Sequence, residues 1–267
     1  MSALTLKLAT RPNQRLDLSS LIPWRLAGLT PKEIETLPVG TTREPVTVGD
    51  LFKLKGTGAA TLRLVGTDAS CDRIGQRLTE GEIHIEGDAG AYLGAFMRGG
   101  GITLSGSAAP YAGAAMAGGS IEIEGDVGER AGGIAVGETV GMRGGRLSIG
   151  GKAGPMLGER MRRGLIIVSG GAGDYAGARM IAGTILIKGR VGRWAGYGLR
   201  RGSLILSEAP KDLLSTFNDC GTLDFNWLRL LERQLHATGA QVKFGVRARR
   251  LMGDMATVGK GEMLILD

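Results

Sequence analysis

The chain has 267 residues, 43% of them hydrophobic but only 4% aromatic, and a formal net charge of +7. That length supports a sizeable core, as one elongated domain or a domain with two caps, and the charge favours acidic partners: nucleic acid, an anionic ligand or an acidic protein face. Cys71 and Cys220 lie far apart with no second Cys or His beside them, which predicts two free thiols in a reducing compartment and excludes a disulfide framework.

Residues 1–55 are expected to form an N-terminal cap. Leu4, Leu6 and Leu8 alternate with Thr5 and Lys7 and predict a strand. Thr30-Pro31-Lys32-Glu33 is a helix start with a capping box, and Pro38 and Gly40 keep that helix short. Val46, Val48, Leu51, Phe52 and Leu54 lead into the next region. No apolar run approaches the ~18 residues of a membrane span, and Met1–Leu8 lacks the apolar region of a signal peptide, so a cytoplasmic chain is expected.

Residues 56–208 carry the dominant pattern. Glycines at 75, 94, 113 and 132, then 158, 177 and 196, recur every 19 residues, with a single longer step of 26 that carries extra residues near Ile134–Val140. Counted from each glycine as zero, and with that insertion set aside, +8 and +10 are aliphatic throughout, from Ile83 and Ile85 to Leu204 and Leu206. Leu62 and Leu64 look like an earlier, imperfect coil. Position +3 holds Leu78, Met97, Met116, Met142, Met161, Met180 and Leu199, and +14 holds only Ala or Val. Further glycines recur at +6 and +12, until Glu208 takes the +12 place and marks the end of the stack. Ladders of this kind predict a mainly β protein, a right-handed parallel β-helix of seven or eight coils. A hexapeptide helix is disfavoured, because 19 is not a multiple of six. The glycines serve turns and close approach, not a phosphate loop.

The outward positions vary. Arginines recur at +4 and +5 as Arg98, Arg143, Arg162, Arg163, Arg200 and Arg201, with Arg160 and Arg179 at +2. Like charges stacked ~5 Å apart repel by ~1 kcal/mol even in water, so the ladder calls for an anion or an acidic surface unless the side chains fan into solvent. Position +9 changes from His84, Thr103, Glu122 and Ser148 to Ile167, Leu186 and Ile205. Three outward aliphatics in succession predict a cover, from the chain's own C-terminal helix or from another subunit.

Residues 209–267 form the tail. Leu228, Leu231 and Leu235 at helical spacing predict a helix over 223–237 that Gly239 stops. Val242, Phe244 and Val246 predict a strand, Arg247, Arg249 and Arg250 a basic surface, and Met263–Leu266 a last strand. With only His84 and His236, both expected at the surface, a triad or His metal site has almost no material. Cys220 is expected to be a buried structural thiol more than a nucleophile. No catalytic residue and no metal ligand is assigned.

The coil from Met116 to Gly128 resembles the glycine-patterned β-helix shared by the C-terminal domain of the glutamate synthase large subunit and the C subunit of formylmethanofuran dehydrogenase. Thr47–Phe52, Thr216–Gly221 and Gly253–Glu262 are similar to the flanking segments of the second. That family includes the C subunit of the formyltransferase/hydrolase complex, and the Arg- and Ala-rich composition leans towards it. The resemblance implies a non-catalytic scaffold subunit, partnered by an amidohydrolase-like subunit, a formyltransferase subunit and a further one. Such an assembly moves a formyl group between tetrahydromethanopterin and a methanofuran-type coenzyme and hydrolyses it to formate. The alternative is the tungsten- or molybdenum-dependent dehydrogenase. The resemblance further implies a polyglutamate coenzyme tail as a shared ligand. Arg143, Arg162, Arg163, Arg200 and Arg201 are the candidates to hold it, unless they meet acidic residues of a neighbouring subunit. No membrane partner is expected. Two other classes remain: a stand-alone β-helix enzyme on an acidic polysaccharide, and a nucleic-acid binder, which the lack of interleaved aromatics disfavours.

Overall fold

The computed structural model describes residues 3–237 and 243–267. The N-terminal region holds strand β1 (Ala3–Leu8), β2 (Leu16–Asp17), helices α1 (Pro23–Leu26), α2 (Pro31–Glu35) and α3 (Val48–Leu51), and β3 (Phe52–Lys55). The expected capping box on α2 is present: Thr30 Oγ1 accepts from the Glu33 N–H, and the Glu33 carboxylate accepts from the Thr30 N–H at 2.7 Å. A second box, Thr47 with Asp50, caps α3 and explains why the Val46–Leu54 run turns once before it extends.

The stack follows as β4 (Gly58–Thr67), β5 (Cys71–Asp72), β6 (Glu82–Gly87), β7 (Gly101–Leu104), β8 (Ser120–Ile123), β9 (Arg143–Ile149), β10 (Arg163–Val168), β11 (Thr184–Ile187) and β12 (Arg201–Leu206). Strands β4 and β6 to β12 pair in parallel, each with the strand one coil on, which is a parallel β-helix. A second parallel ladder of single bridges runs Ala89, Ala108, Val127, Ala153, Ala172, Val191, the predicted +14 positions. The +3, +8 and +10 side chains are buried from end to end and form one continuous core with the cap. Each fully buried aliphatic contributes about 1.5–3 kcal/mol, but only if the neighbouring coil is present to cover it.

The glycine ladders divide their work. At zero and +6 the backbone is left-handed in every coil, for example Gly94 at φ 59° and Gly145 at φ 84°. At +12 the requirement is space: a Cβ on Gly125 would lie 2.6 Å from the Gly106 carbonyl oxygen of the coil below.

Both ends of the sheet are closed by the chain itself. At the start, β1 adds in parallel to β4, and β3 adds antiparallel to β1. The tail supplies β13 (Asn218–Asp224), helix α4 (Asn226–Ala237), β14 (Arg247–Gly253) and β15 (Lys260–Leu266). Strand β15 pairs in parallel with β12 so that Met263 and Ile265 continue the +8 and +10 rows above Leu204 and Leu206. Strands β14 and β13 then continue antiparallel to the edge.

Three tail expectations change: the helix expected over 223–237 begins at Asn226, because Leu223 and Asp224 end β13. The strand expected over 242–246 begins instead at Arg247, where alternation of Ala248 with Arg247 and Arg249 buries one face; Lys243 to Val246 is irregular. Gly239 and Val242 lie outside the described residues. Cys220 is exposed, because β13 is an edge strand whose residues are all exposed; its Sγ lies 3.7 Å from the Asn218 carbonyl oxygen. Cys71 is the buried thiol, and burial raises its pKa and keeps it protonated.

Candidate functional site

Three outward surfaces differ in chemistry. The first is the outer face of the main sheet. Over the last coils, Ile167, Leu186 and Ile205 are buried beneath Leu228 and Leu235 of α4, with Phe244, Ala248 and Leu264 completing the cluster. The chain's own tail is the cover, as the aliphatic +9 positions implied. Over the early coils the same face is an open groove of about 780 Å³, floored by Arg63, His84, Thr103, Glu122 and Ser148. Its charges answer each other: Arg63 pairs with Glu86 and Arg146 with Glu122, while His84 Nδ1 lies 2.6 Å from Thr103 Oγ1. Imidazole and hydroxyl alone do not make a nucleophile and an oriented base.

The second surface is the arginine column at +4 and +5. Arg143 and Arg163 are register neighbours on β9 and β10, and Arg201 neighbours Lys260 on β15. Arg162, Arg163, Arg200 and Arg201 are exposed and make no side-chain ion pair among the described residues. Arg143 differs, because Glu138 of the inserted loop pairs with it at 2.7 Å. Four of the five candidate guanidiniums therefore keep their donors open. The fifth is already engaged.

The third surface was not visible in the glycine register until the residue two places before each glycine is read. Arg73, Tyr92, Tyr111, Arg130, Met156, Tyr175 and Trp194 all adopt left-handed backbone, with φ between 56° and 70°. For a non-glycine residue that conformation costs about 1–2 kcal/mol. Side-chain stacking offsets part of it: Tyr92 on Tyr111 at 4.7 Å and Tyr175 on Trp194 at 4.9 Å. Arg130 bonds the Tyr111 hydroxyl at 3.2 Å and, with Arg179, flanks the buried carboxylate of Glu159 at 3.4 and 3.6 Å. The inserted loop packs here, placing Ala135 against Ala95, Ala114 and Ala115. The same 19-residue spacing, applied to large side chains instead of glycine, would have found this ladder.

Among the described residues no group of three or more His, Cys, Asp or Glu is close enough to hold a metal, and no helix is long and apolar enough to cross a membrane. The outer surfaces carry unanswered cations on one corner, stacked aromatics on another, and a polar groove on the sheet.

Comparison with known proteins agrees with this architecture. Residues 53–229 match the GXGXG motif family. The chain is 44% identical over 89 residues to the C subunit of the formyltransferase/hydrolase complex Fhc of Methylorubrum extorquens, covering 33% of this chain and 34% of that protein. It is 33% identical over 100 residues to the C subunit of tungsten-containing formylmethanofuran dehydrogenase 2 of Methanothermobacter thermautotrophicus, covering 36% of this chain and 37% of that protein. Those alignments span about a third of the curated relatives. In three dimensions the likeness extends over nearly the whole chain. A subunit in the crystal structure of the formyltransferase/hydrolase complex FhcABCD from Methylorubrum extorquens, solved with methylofuran, superposes with a TM-score of 0.93 at 43% identity over 98% of both chains. The chain belongs to the GXGXG motif family and is a homologue of the C subunit of the formyltransferase/hydrolase complex.

Proposed function

We propose that this chain is the scaffolding C subunit of a formyltransferase/hydrolase assembly, which moves a formyl group from tetrahydromethanopterin to a methanofuran-type coenzyme and releases formate. The observation that carries the reading is the end-to-end superposition on a subunit of FhcABCD, cap and tail included. Its partners are then an amidohydrolase-like subunit, a formyltransferase subunit and a fourth protein. A rod with a uniform core and three chemically distinct faces suits a subunit that holds others in place. The dehydrogenase reading rests on the 33% identity to the corresponding subunit of that enzyme, and the higher identity to the Fhc protein favours the hydrolase.

Within this reading Arg162, Arg163, Arg200 and Arg201, with Arg143 beside them, hold the glutamate tail of the coenzyme through charge-assisted hydrogen bonds. Removing the gene and assaying extracts tests the role. Formyl transfer and hydrolysis should fall away and return when the chain is supplied, while the purified chain alone turns over neither substrate. Undiminished activity without the chain contradicts the proposal. In the intact assembly, Arg162→Glu with Arg200→Glu should weaken coenzyme binding at least tenfold; unchanged affinity would leave the arginines to a neighbouring subunit.

A further inference from the structure

Near the C-terminal end of the rod lies a separate cavity of about 330 Å³, between the +2 corner of the late coils and the turn from Asp254 to Thr257. Arg160, Arg179 and Arg200 line it. Arg160 and Arg179 take the +2 place of successive coils, both left-handed, at φ 52° and 53°. The next coil has Gly198 in that place, at φ 68°, and a Cβ there would come within 3.2 Å of the Arg179 side chain. The ladder that carries arginines below thus leaves room above them.

The charges in this cavity do not cancel. The Arg160 guanidinium donates to the Thr139 carbonyl, at 3.2 Å, and neither it nor Arg200 has an ion pair among the described residues. Arg179 lies 3.6 Å from Glu159, which it shares with Arg130, and its guanidinium sits 5.8 Å from the centre of the Tyr197 ring. Asp254, the carboxylate of the lining, is buried and already accepts from the Gly198 and Ala256 N–H groups at 3.0 and 2.9 Å. Three cations therefore meet the Asp254 carboxylate and a share of Glu159, which leaves positive charge in excess. The volume is at the lower end of small-ligand pockets, roughly 300–1,000 Å³. Planar guanidiniums held by stacking and by a backbone carbonyl are suited to forked recognition of oxyanions.

We propose that this cavity is a binding site for a small dianion bearing phosphate or carboxylate groups. The site shares only Arg200 with the arginine column, so it stands or falls separately from the coenzyme-tail reading. Calorimetric titration of the full chain at low salt, with inorganic phosphate in one arm and glutarate in the other, tests it. Saturable one-to-one binding of at least one probe is expected, and the arm that binds identifies the source. Arg160→Gln with Arg200→Gln should weaken it at least tenfold, and Arg160→Lys, which keeps the charge but loses the fork, severalfold. Arg98→Gln, an exposed arginine lower on the column and outside both sites, should bind as the wild type does. The proposal is overturned if neither probe saturates, if Arg160→Lys and the double pocket variant both bind like the wild type, or if the column variant loses as much affinity. Unfolding midpoints of the variants show whether a loss reflects the site or the fold.

Discussion

One sheet face of this rod exists in two forms. In the early coils its +9 side chains are His84, Thr103, Glu122 and Ser148, and the face is an open polar groove. In the late coils the same position carries Ile167, Leu186 and Ile205, and α4 closes over them. The backbone ladder is continuous across both halves. A single outward position per coil therefore decides whether the sheet meets water or the chain's own tail. In a solenoid, where each coil touches only its neighbours, such a change can be made locally without disturbing the stack.

The sharpest way to break this comparison is to move a charge across it. Leu186→Asp places an unpaired carboxylate under α4 and should cost at least about 3 kcal/mol, whereas Thr103→Asp, in the open half, should cost only about 1 kcal/mol, from the lost His84 contact and the neighbouring Glu122. Denaturant unfolding of the two variants measures both, and equal losses would contradict the description of the two halves. Leu228→Ala, on the covering helix, should cost about 2–4 kcal/mol by leaving a cavity over the late coils. Gly145→Ala should cost at least about 1–2 kcal/mol, read from its unfolding midpoint, because its backbone is left-handed and a Cβ there would come 2.7 Å from the Gly119 carbonyl oxygen. Glu122→Ala, which removes an exposed partner of the half-buried Arg146, should change stability by about 1 kcal/mol, because an ion pair open to water on one side is weak.

An effect that depends on acid lies at the covered end. Burial pushes the Asp254 carboxyl up, but the Thr216 hydroxyl and the N–H groups of Ala256 and Gly198 together outweigh it and hold its pKa below the ordinary value. A folded pKa below the unfolded one means stability that is fully present above about pH 4 and is lost as the pH falls through the folded value. The stability difference between the wild type and Asp254→Asn should accordingly narrow below about pH 4. A constant difference would show that the carboxylate charge plays no part.

The fold was legible because its causes are periodic. Gly94, Met97, Ile102 and Leu104 each repeat in their own row, and strand pairing, turn and core all follow from those rows. The cover on the late coils was legible too, since outward aliphatics on a sheet that would otherwise face water demand one. What escaped was set by contacts between distant segments. Nothing near Cys220 in sequence shows that β13 becomes an edge strand, exposed on both faces. Gly261-Glu262-Met263-Leu264-Ile265 matches Gly202-Ser203-Leu204-Ile205-Leu206 in pattern, yet lies more than fifty residues away, so its place as a further layer of the stack is seen only in the pairing. The arginine column could be enumerated from the repeat. That Glu138 engages Arg143, and leaves the other four open, depends on where the inserted loop folds back.

Native mass spectrometry of the full chain, purified gently from its own cells, tests the central claim most directly. A stable assembly with an amidohydrolase-like subunit, a formyltransferase subunit and a fourth protein is the predicted result. A lone monomer that persists at low salt, with no co-purifying partner, would contradict it.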